Sequence, residues 1–497
     1  MNIKRLKEYA INSLIYNTYY HKKLEDHLVY VESRDGNDFT GNILRIVEAL
    51  SSGEYGEYEI VVYAHEDVLD KIERLKKNYY LKISKITSKE STATVWMEKA
   101  KYIITDSGLR PKFVKKPGQI VFNTWHGTPF KTMGRHNEAE EHRCGNIQQV
   151  FFACDYLLFP NDYMKEKMLN SYMMEKIYPG KILNEGYPRN SVFFTDSNDF
   201  KDKLGFKGKT VFAYMPTFKG LLLNRKDEKQ NSDIFNYLLE IDEKLNDDQI
   251  LLVKLHVYNH KKIDFSRFNH ILPFPKDYET YDVLNLVDCL ITDYSSVMFD
   301  YANTGRKIVL FNYDEEEYMK DRGTYMPLAS LPFPKVQTVD DLIKELNSDK
   351  NYDDNDLIEK YCTYDNPNAI DNICRHIFSG EKICQVETVE NNKKNALIDL
   401  GENVDYQKID KLINKLGNLD LNEKNYFISY CTWDEYIIDN HVEIFRKIPK
   451  KVEFCPIRSP KNPTLSEKVN INSNRLIERE WNRSFNRFEF DEKLEIQ

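Results

Sequence analysis

Short apolar runs alternate with longer stretches of helical periodicity through most of the chain. This alternation is typical of parallel sheets covered by helices, because a strand buried on both faces is apolar throughout whereas a covering helix is apolar on one face. The pattern therefore predicts an α/β fold. The predicted strands are Leu28–Ser33, Glu59–Ala64, Tyr80–Ser84, Lys101–Thr105, Gln119–Phe122, Tyr156–Phe159, Lys181–Asn184, Thr210–Tyr214, Gln249–Lys254, His270–Leu272, Cys289–Thr292 and Lys307–Phe311. The predicted helices are Asn42–Leu50, Val68–Lys77, Ser91–Lys99, one ending near Cys154, Asp233–Leu245, Thr280–Val287, Val297–Ala302, Val339–Leu346 and Ala369–Phe378.

A break in the alternation divides the strands into two series. Glycine and proline in the segment Gly186–Asn190 interrupt the pattern just before the second series begins. The sequence therefore predicts two Rossmann-like domains that face a cleft, residues 28–188 and 189–385. Residues 386–497 are a C-terminal extension of unknown fold, in which we predict a helix at Leu412–Leu416 and strands at Tyr426–Tyr430 and Val452–Phe454.

The composition is that of a soluble, multidomain globular protein. Of the 497 residues, 41% are hydrophobic and 30% are charged, and a chain of this length is typical of about three domains. The net charge of -9 argues against a surface that coats nucleic acid, so no nucleic-acid partner is expected. The eight cysteines include no Cys-x-x-Cys pair, which favours reduced thiols and a cytoplasmic location. No run approaches the roughly 18 apolar residues of a membrane span.

Residues 1–27 are predicted to contain an N-terminal amphipathic helix. The apolar side chains lie near one face, and Lys4, Arg5 and Lys7 lie elsewhere. Such a helix either rests on the anionic inner face of the cell membrane, which would make the protein peripheral there, or packs on its own domain. Core packing is the more frequent outcome for such a pattern, and both alternatives stay open.

His126 lies just beyond a predicted strand, in the segment Trp125-His-Gly-Thr-Pro-Phe-Lys131. In α/β folds the carboxyl ends of parallel strands face the ligand cleft. Gly127 permits backbone conformations that are closed to other residues, and Pro129 stiffens the exit from the segment. The segment therefore predicts either a rigidly presented catalytic imidazole or a turn whose histidine only hydrogen-bonds its neighbours.

Three further polar patches follow predicted strands of the second series. They consist of a serine pair that opens a helix, a Lys-x-His pair and a Thr-x-Lys pair. Each patch is either a phosphate contact or an ordinary helix cap or solvated loop, and their shared position favours a phosphate-binding cleft. No Gly-x-Gly-x-x-Gly or Walker loop is present, which argues against a nicotinamide enzyme or a nucleoside triphosphatase and predicts no cofactor. The patches are Ser295 with Ser296, Lys254 with His256, and Thr217 with Lys219.

Five ordered motifs resemble those of the CDP-glycerol glycerophosphotransferases of teichoic acid and capsule synthesis. The resemblance spans about Leu28 to Gly380, and it also takes in Glu32–Gly36 and Arg322–Gly323. The chain departs from the family's motifs at three positions, where Val257, Lys219 and Ser191 replace the usual proline, arginine and aspartate. These differences bear on which donor the protein prefers. The motifs are Trp125–Gly134, Gly186–Asn190, Pro216–Lys219, Lys254–His256 and Thr292–Ala302.

The resemblance implies a GT-B fold with an acceptor-side domain, a CDP-alcohol-binding domain and a catalytic cleft between them. It implies that His126 is the catalytic base, that His256 contacts the pyrophosphate, and that serines line the donor phosphates. The implied donor-binding residues are Thr217, Lys219, Lys254, Asp293, Ser295, Ser296 and Asp300. The implied acceptor-side residues are Trp125, Gly127, Thr128, Lys131 and Arg135.

The expected reaction moves a polyol phosphate, most simply glycerol phosphate, from CDP-glycerol or a related CDP-polyol to a hydroxyl of a lipid-linked or polysaccharide acceptor, and releases CMP. No acidic cluster with metal-ligand spacing is present, so no metal requirement is expected. A homo-oligomer is a further expectation. Two alternatives remain: a sugar-nucleotide glycosyltransferase of the same fold, and a binding subunit without activity.

Overall fold

A computed structural model describes residues 11, 14–16, 18–109, 113, 115–137, 144–217, 227–255, 263–315, 318, 323–400, 406–429, 446–455 and 490–495. Within these ranges the strands are β1 (Glu25–Glu32), β2 (Glu59–Tyr63), β3 (Ile83–Thr87), β4 (Ala100–Thr105), β5 (Ile120–Asn123), β6 (Tyr156–Phe159), β7 (Lys181–Asn184), β8 (Thr210–Tyr214), β9 (Gln249–Val253), β10 (Ile271–Pro273), β11 (Cys289–Thr292), β12 (Lys307–Phe311), β13 (Lys335–Val336), β14 (Gln385–Thr388), β15 (Asn395–Asp399), β16 (Asn425–Ser429), β17 (Glu453–Phe454) and β18 (Glu492–Glu495).

The helices of the same ranges are α1 (Gly41–Ser52), α2 (Leu69–Asn78), α3 (Glu90–Lys99), α4 (Gly145–Ala153), α5 (Asp162–Ser171), α6 (Asn198–Lys203), α7 (Asp227–Lys244), α8 (Thr280–Asn285), α9 (Val297–Tyr301), α10 (Val339–Leu346), α11 (Asn355–Tyr361), α12 (Ala369–Phe378) and α13 (Tyr406–Gly417). Helix α10 illustrates why they form. The Thr338 side chain caps its start by accepting from the Asp341 amide, and Val339, Leu342 and Leu346 bury one face. Burial of each such leucine stabilises the fold by roughly 1.5 to 3 kcal/mol.

The strands form three sheets. The first has the order β3-β2-β1-β4-β5-β6-β7, with β14 at the far edge, and only β14 is antiparallel to its neighbour. The second has the order β10-β9-β8-β11-β12-β13, and the third β17-β16-β15-β18. In each of the first two sheets, the order in which the chain adds strands reverses beside the first strand of that sheet. The carboxyl ends of the two strands at this switch point form the crevice in which α/β folds usually bind ligands. In the first sheet these strands are β1 and β4, and in the second β8 and β11.

The chain returns to the first domain after it has built the second. Helix α12 packs on the first domain. The Tyr55 hydroxyl donates to the Asp371 carboxylate at 2.9 Å, and the centroids of the Phe378 and Tyr58 rings lie 5.2 Å apart. Strand β14 then pairs with β7 at the edge of the first sheet. The boundary predicted after residue 385 falls inside β14, so the structure moves it and assigns both elements to the first domain.

The C-terminal extension, whose fold the sequence left unknown, contains a small parallel sheet. The predicted helix and two strands are confirmed as parts of α13, β16 and β17, while β15 and β18 had no prediction. The sheet packs on the first domain, where Leu397, Phe427 and Cys455 bury Ile177. The extension is therefore a third α/β domain that is packed on the first domain.

Most predicted elements overlap the observed ones, although several begin or end at other residues, and one predicted element lies mostly outside the described residues. The strand predicted at Tyr80–Ser84 begins at Ile83, because Tyr80 is 87% exposed and has a left-handed φ of 53°. The helix predicted at Val297–Ala302 is the five-residue α9. Residues 1–10 of the predicted N-terminal helix lie outside the described residues.

Candidate active site

His126 follows β5 in a segment whose backbone is held from both sides. The Asn123 side chain accepts from the Trp125 amide at 2.8 Å and donates to the Ser107 carbonyl at 2.8 Å. Trp125 has a φ of 50°, a conformation that a bulky residue adopts only at a cost in energy. Its indole stacks on the His126 imidazole with centroids 4.3 Å apart, and it meets Phe151 edge-on. These contacts hold the imidazole in one orientation.

One ring nitrogen of His126 binds the backbone, and the other can accept a proton. Nδ1 lies 2.7 Å from the carbonyl oxygen of Asp106, which can only accept a hydrogen bond, so Nδ1 carries the proton. Nε2 of the neutral ring is therefore an acceptor. Burial, together with the positive charges of Arg34 and Arg189, lowers the pKa of His126 well below its ordinary value. The ring is neutral near pH 7, as a general base must be.

Gly127 brings the second domain close to this histidine. Its φ is 153°, and a Cβ on it would lie 2.8 Å from the hydroxyl of Ser296. Ser296 belongs to the second domain and directly precedes α9. The Gly127 amide also donates to the Tyr187 hydroxyl at 3.1 Å. The absence of a side chain at this position therefore lets a predicted phosphate-binding serine approach the base.

The exit from the His126 segment is joined to the second domain by backbone pairing. Lys131 forms an antiparallel bridge with Thr324, and the Tyr325 amide donates to the Phe130 carbonyl at 2.9 Å. The Lys131 ammonium lies 5.5 Å from the centroid of the Tyr318 ring. The segment that carries the base is therefore anchored in both domains.

Asp300 was predicted to bind the donor, but the structure buries it in a polar network. Its carboxylate accepts from the Arg189 guanidinium at 2.8 Å, from the Tyr281 hydroxyl at 2.8 Å and from the Asn190 amide at 3.2 Å. Arg189 also donates to the His126 carbonyl at 3.1 Å. Asp300 therefore supports the segment that carries His126, and its predicted contact with the donor stays a prediction.

Thr217 and Asp293 meet at the switch point of the second sheet. The Asp293 carboxylate accepts from the Thr217 amide at 2.8 and 3.0 Å and from the Tyr294 amide at 2.5 Å, so this carboxylate holds the two loops together. The Thr217 hydroxyl is buried and has no hydrogen-bond partner within the described ranges. An unpaired buried hydroxyl is costly, and a phosphate oxygen would satisfy it.

Lys254 follows β9 and faces positive charges of the first domain. Its ammonium donates to the Thr280 hydroxyl. Burial and the charges of Lys71 and Arg34 lower the pKa of Lys254 to about 8, while the charges of Asp38 and Glu279 oppose this change. The group is still largely protonated at pH 7, and a bound anion would offset the repulsion.

Two of the predicted acceptor-side residues have structural roles. Thr128 is buried, and its hydroxyl accepts from the Asn161 amide at 2.9 Å. Arg135 donates to the Val452 carbonyl and lies 4.9 Å from the centroid of the Phe454 ring. Arg135 therefore contacts the third domain, and the structure does not bring it to the cleft beside the base.

The predicted site residues Lys219 and His256 lie outside the described residues. In the part of the chain that the structure covers, no group of three or more His, Cys, Asp or Glu side chains is arranged to hold a metal ion. The expected independence from metal stays a prediction. No helix in the same ranges is long and apolar enough to cross a membrane.

The motifs led us to predict His126 as the base, but we assigned no role to the neighbouring Asp106, Arg34 and Arg189. Asp106 binds the imidazole through its carbonyl, Arg189 binds the His126 backbone, and Arg34 acts on the ring through its charge. Only weak signals were available for them. Arg189 lies in a segment interpreted as a connector, and Arg34 lies in a Gly- and Asp-rich loop after the first predicted strand.

Two Rossmann-like domains, with His126 on one and hydroxyl and ammonium groups on the other, define a GT-B-like enzyme. Residues 14–379 match the family described as CDP-Glycerol:Poly(glycerophosphate) glycerophosphotransferase. The chain belongs to this family of transferases, as its motifs predicted.

Curated relatives and solved structures agree with this assignment. The chain is 27% identical over 359 residues to the teichoic acid poly(glycerol phosphate) polymerase of Bacillus spizizenii, covering 68% of this chain and 87% of that one. It is 28% identical over 410 residues to the teichoic acid glycerol-phosphate transferase of Staphylococcus aureus, covering 76% and 98%. The structure of the wall teichoic acid polymerase TagF superposes with a TM-score of 0.62 at 24% identity, over 76% of this chain and 95% of that one. The last comparison supports the fold, and the GT-B-like prediction is confirmed.

Proposed function

We propose that the protein transfers glycerol phosphate from CDP-glycerol to a hydroxyl of a teichoic acid polymer and releases CMP. The observation that carries this proposal is the neutral His126, with Nδ1 bound to the Asp106 carbonyl and its backbone next to Ser296 of the facing domain. Family membership supports the donor, and the names of the relatives support the acceptor.

The chemistry is an in-line displacement at the phosphorus that carries the glycerol. His126 Nε2 takes the proton of the acceptor hydroxyl while the acceptor oxygen forms a bond to that phosphorus. The bond from phosphorus to the bridging oxygen of CMP breaks, and CMP leaves with the electron pair. Ser296, Thr217 and Lys254 bind the phosphate oxygens and offset the charge that builds on them. Ser295, Lys219 and His256 are proposed to assist them, as the motifs implied.

The proposed place of action is the inner face of the cell membrane. The teichoic acid names of the relatives and the basic residues Lys4, Arg5 and Lys7 support it. Charge reversal of the three should release the protein from anionic vesicles, because each basic residue near such a surface contributes about 1 kcal/mol. Unchanged vesicle binding would favour packing of the helix on its own domain.

The decisive experiment compares His126→Ala with His27→Ala, since His27 is exposed on β1 and away from the cleft. CMP release is measured with CDP-glycerol and with CDP-ribitol, and release of nucleoside diphosphate is measured with a sugar nucleotide, each with acceptor present. We expect release from CDP-glycerol by the wild type and by His27→Ala. Loss of the general base should lower turnover by on the order of 100-fold to 10,000-fold in His126→Ala.

A measurement of donor affinity distinguishes a variant that has lost only the general base from a variant that has lost the donor-binding site. Calorimetric titration should give His126→Ala nearly the wild-type affinity for CDP-glycerol, because this substitution removes a proton acceptor and no proposed donor contact. If the wild type releases nucleoside diphosphate from the sugar nucleotide and no CMP from either CDP-polyol, the result supports the glycosyltransferase alternative. Tight CDP-glycerol binding without any CMP release would support the binding subunit.

A further inference from the structure

The loop after β1 is strained, and the end of β4 holds it in place. Arg34 and Asp35 have φ values of 51° and 54°, in the left-handed region that residues other than glycine seldom adopt. The Asp106 carboxylate accepts from the Ser33 hydroxyl at 2.8 Å and from the Arg34 amide at 2.7 Å. The Ser107 hydroxyl accepts from the Asp35 amide at 2.9 Å. Strain of this kind costs about 1 to 3 kcal/mol per residue and persists only where surrounding contacts impose it.

The same loop occupies the switch point of the first sheet, where β1 and β4 diverge. Asp106 binds the loop through its carboxylate and the catalytic imidazole through its carbonyl. One residue therefore fixes both the backbone of Arg34 and the ring of His126. The two side chains are presented from a common support.

Arg34 follows β1 at the same edge of the first sheet as His126, which follows β5. Its positive charge acts on His126 of the first domain and on Lys254 of the second. Arg45 and Arg189, which also line the interface between the domains, are each paired with an aspartate. For Arg34, no carboxylate within the described ranges lies at ion-pair distance. The charge of Arg34 acts on the Asp106 carboxylate and opposes the effect of burial, which raises the pKa of Asp106, but the two side chains form no ion pair. A partly buried guanidinium without an ion pair, whose charge acts on a lysine, is a candidate site for an anion.

We propose that Arg34 binds the phosphoryl group in transfer, so that Arg34 and Lys254 hold it from opposite domains. This inference rests on the proposed function and adds a residue to it. The planar guanidinium donates two hydrogen bonds to nonbridging oxygens of the phosphoryl group. The acceptor oxygen bonds to the phosphorus, His126 takes the proton, and CMP leaves with the electrons of the broken bond. Arg34 neither gains nor loses a proton.

The main test compares Arg34→Gln and Arg34→Lys with Arg375→Gln. Arg375 is an exposed arginine paired with Glu381, which makes it a matched control. We expect Arg34→Gln to lower turnover on the order of 100-fold to 1,000-fold, as loss of a donor to developing charge does, and Arg34→Lys to keep part of the activity. The affinity for CDP-glycerol should weaken more than the affinity for CMP, which lacks the transferred group. Turnover within threefold of the control would overturn the proposal.

A second readout detects charge beside the base, which a merely structural role would not change. Removing the Arg34 charge raises the pKa of His126, so the acid limb of kcat/KM moves to higher pH in Arg34→Gln and stays in place in Arg34→Lys. An acid limb that moves equally in both variants contradicts the assignment. The phosphate of the acceptor polymer is the other source of an anion here. If excess acceptor restores the Arg34→Gln rate, the group binds acceptor phosphate and the assignment to the transferred group is wrong.

Binding of inorganic pyrophosphate keeps the test independent of the reaction. Calorimetry should give weaker pyrophosphate binding by Arg34→Gln than by the wild type and by Arg375→Gln. If the wild type releases no CMP but this difference is present, the proposed function fails and the anion site stands. If CMP release is normal and the difference is absent, the anion site fails and the proposed function stands.

Discussion

Replacement of Asp300 by asparagine tests whether this residue supports the site or binds the donor. Arg189, Tyr281 and Asn190 all donate to the carboxylate, and both partners of the Arg189 ion pair are almost fully buried. An asparagine has nearly the same shape, but its NH2 group lies where a carboxylate oxygen of Asp300 accepts a hydrogen bond from one of these donors. The variant therefore leaves the Arg189 charge unpaired and one donor unsatisfied.

The structure sets the size of the effect. Breaking a buried ion pair by removing one partner costs about 3 to 5 kcal/mol. An exposed pair contributes about 0 to 1 kcal/mol. The pair Lys207 and Asp202 provides the control, because their side chains are 83% and 47% exposed. Against a typical total of 5 to 15 kcal/mol, Asp300→Asn should be strongly destabilised and Asp202→Asn should resemble the wild type.

The assay is urea unfolding followed by intrinsic fluorescence, with CDP-glycerol titration at a temperature where both variants are folded. Because a multidomain chain need not unfold in two states, the midpoint of the first transition is compared between variants. Replacing Arg189 and Asp300 together by Met and Leu should recover part of the loss, since no charge is then left unpaired.

Two results would refute this reasoning. If Asp300→Asn unfolds at the same urea concentration as Asp202→Asn, the buried pair does not stabilise the fold. If the folded Asp300→Asn variant has lost CDP-glycerol affinity at an unchanged unfolding midpoint, Asp300 binds the donor, as the sequence predicted.

Three further predictions concern the base and its surroundings. The acid limb of wild-type kcat/KM should lie below about pH 6.5, because His126 has a lowered pKa and only the neutral ring accepts a proton; an acid limb centred above pH 7 contradicts this. Gly127→Ala should lower CMP release at least tenfold, because the new methyl group would meet Ser296 and the left-handed φ is unfavourable, and a wild-type rate would exclude this close approach. Arg135→Ala should lower the unfolding temperature and speed proteolysis of the third domain with kcat unchanged, whereas a loss of kcat at normal stability would return Arg135 to the acceptor side.

Local pattern predicted most of the fold because most strands of the parallel sheets are buried along most of their length. The strand predicted at Lys307–Phe311 is buried throughout, so its apolar run and its extent coincide. The strand prediction at Tyr80 was wrong because the sequence pattern does not distinguish an exposed tyrosine in a turn from a buried tyrosine in a strand. Strand β14 was missed for another reason. Only β14's pairing with β7, about 200 positions earlier in the chain, makes the exposed segment Gln385–Thr388 a strand.

The same limit applies to the site. His126 was predicted from its position after a strand and from the glycine and proline beside it, which are local features. The roles of Asp300 and Arg135 depend on partners 111 and 317 positions away, Arg189 and Val452. A motif records that a residue matters in a family but not whether it contacts substrate or another part of the chain. Those two assignments therefore required the structure.

The backbone bridge between Lys131 and Thr324 has a consequence for how substrates enter. This bridge and the Arg189 contact with the His126 carbonyl fasten the two domains on either side of the base. Any opening that keeps both attachments must pivot about a line through the catalytic centre. Displacement then grows with distance from His126, and the exposed ion pair of Arg74 with Asp277, which also joins the two domains, would separate. The enzyme can exchange a spent nucleotide at its rim while the alignment of the reacting groups at its pivot barely changes.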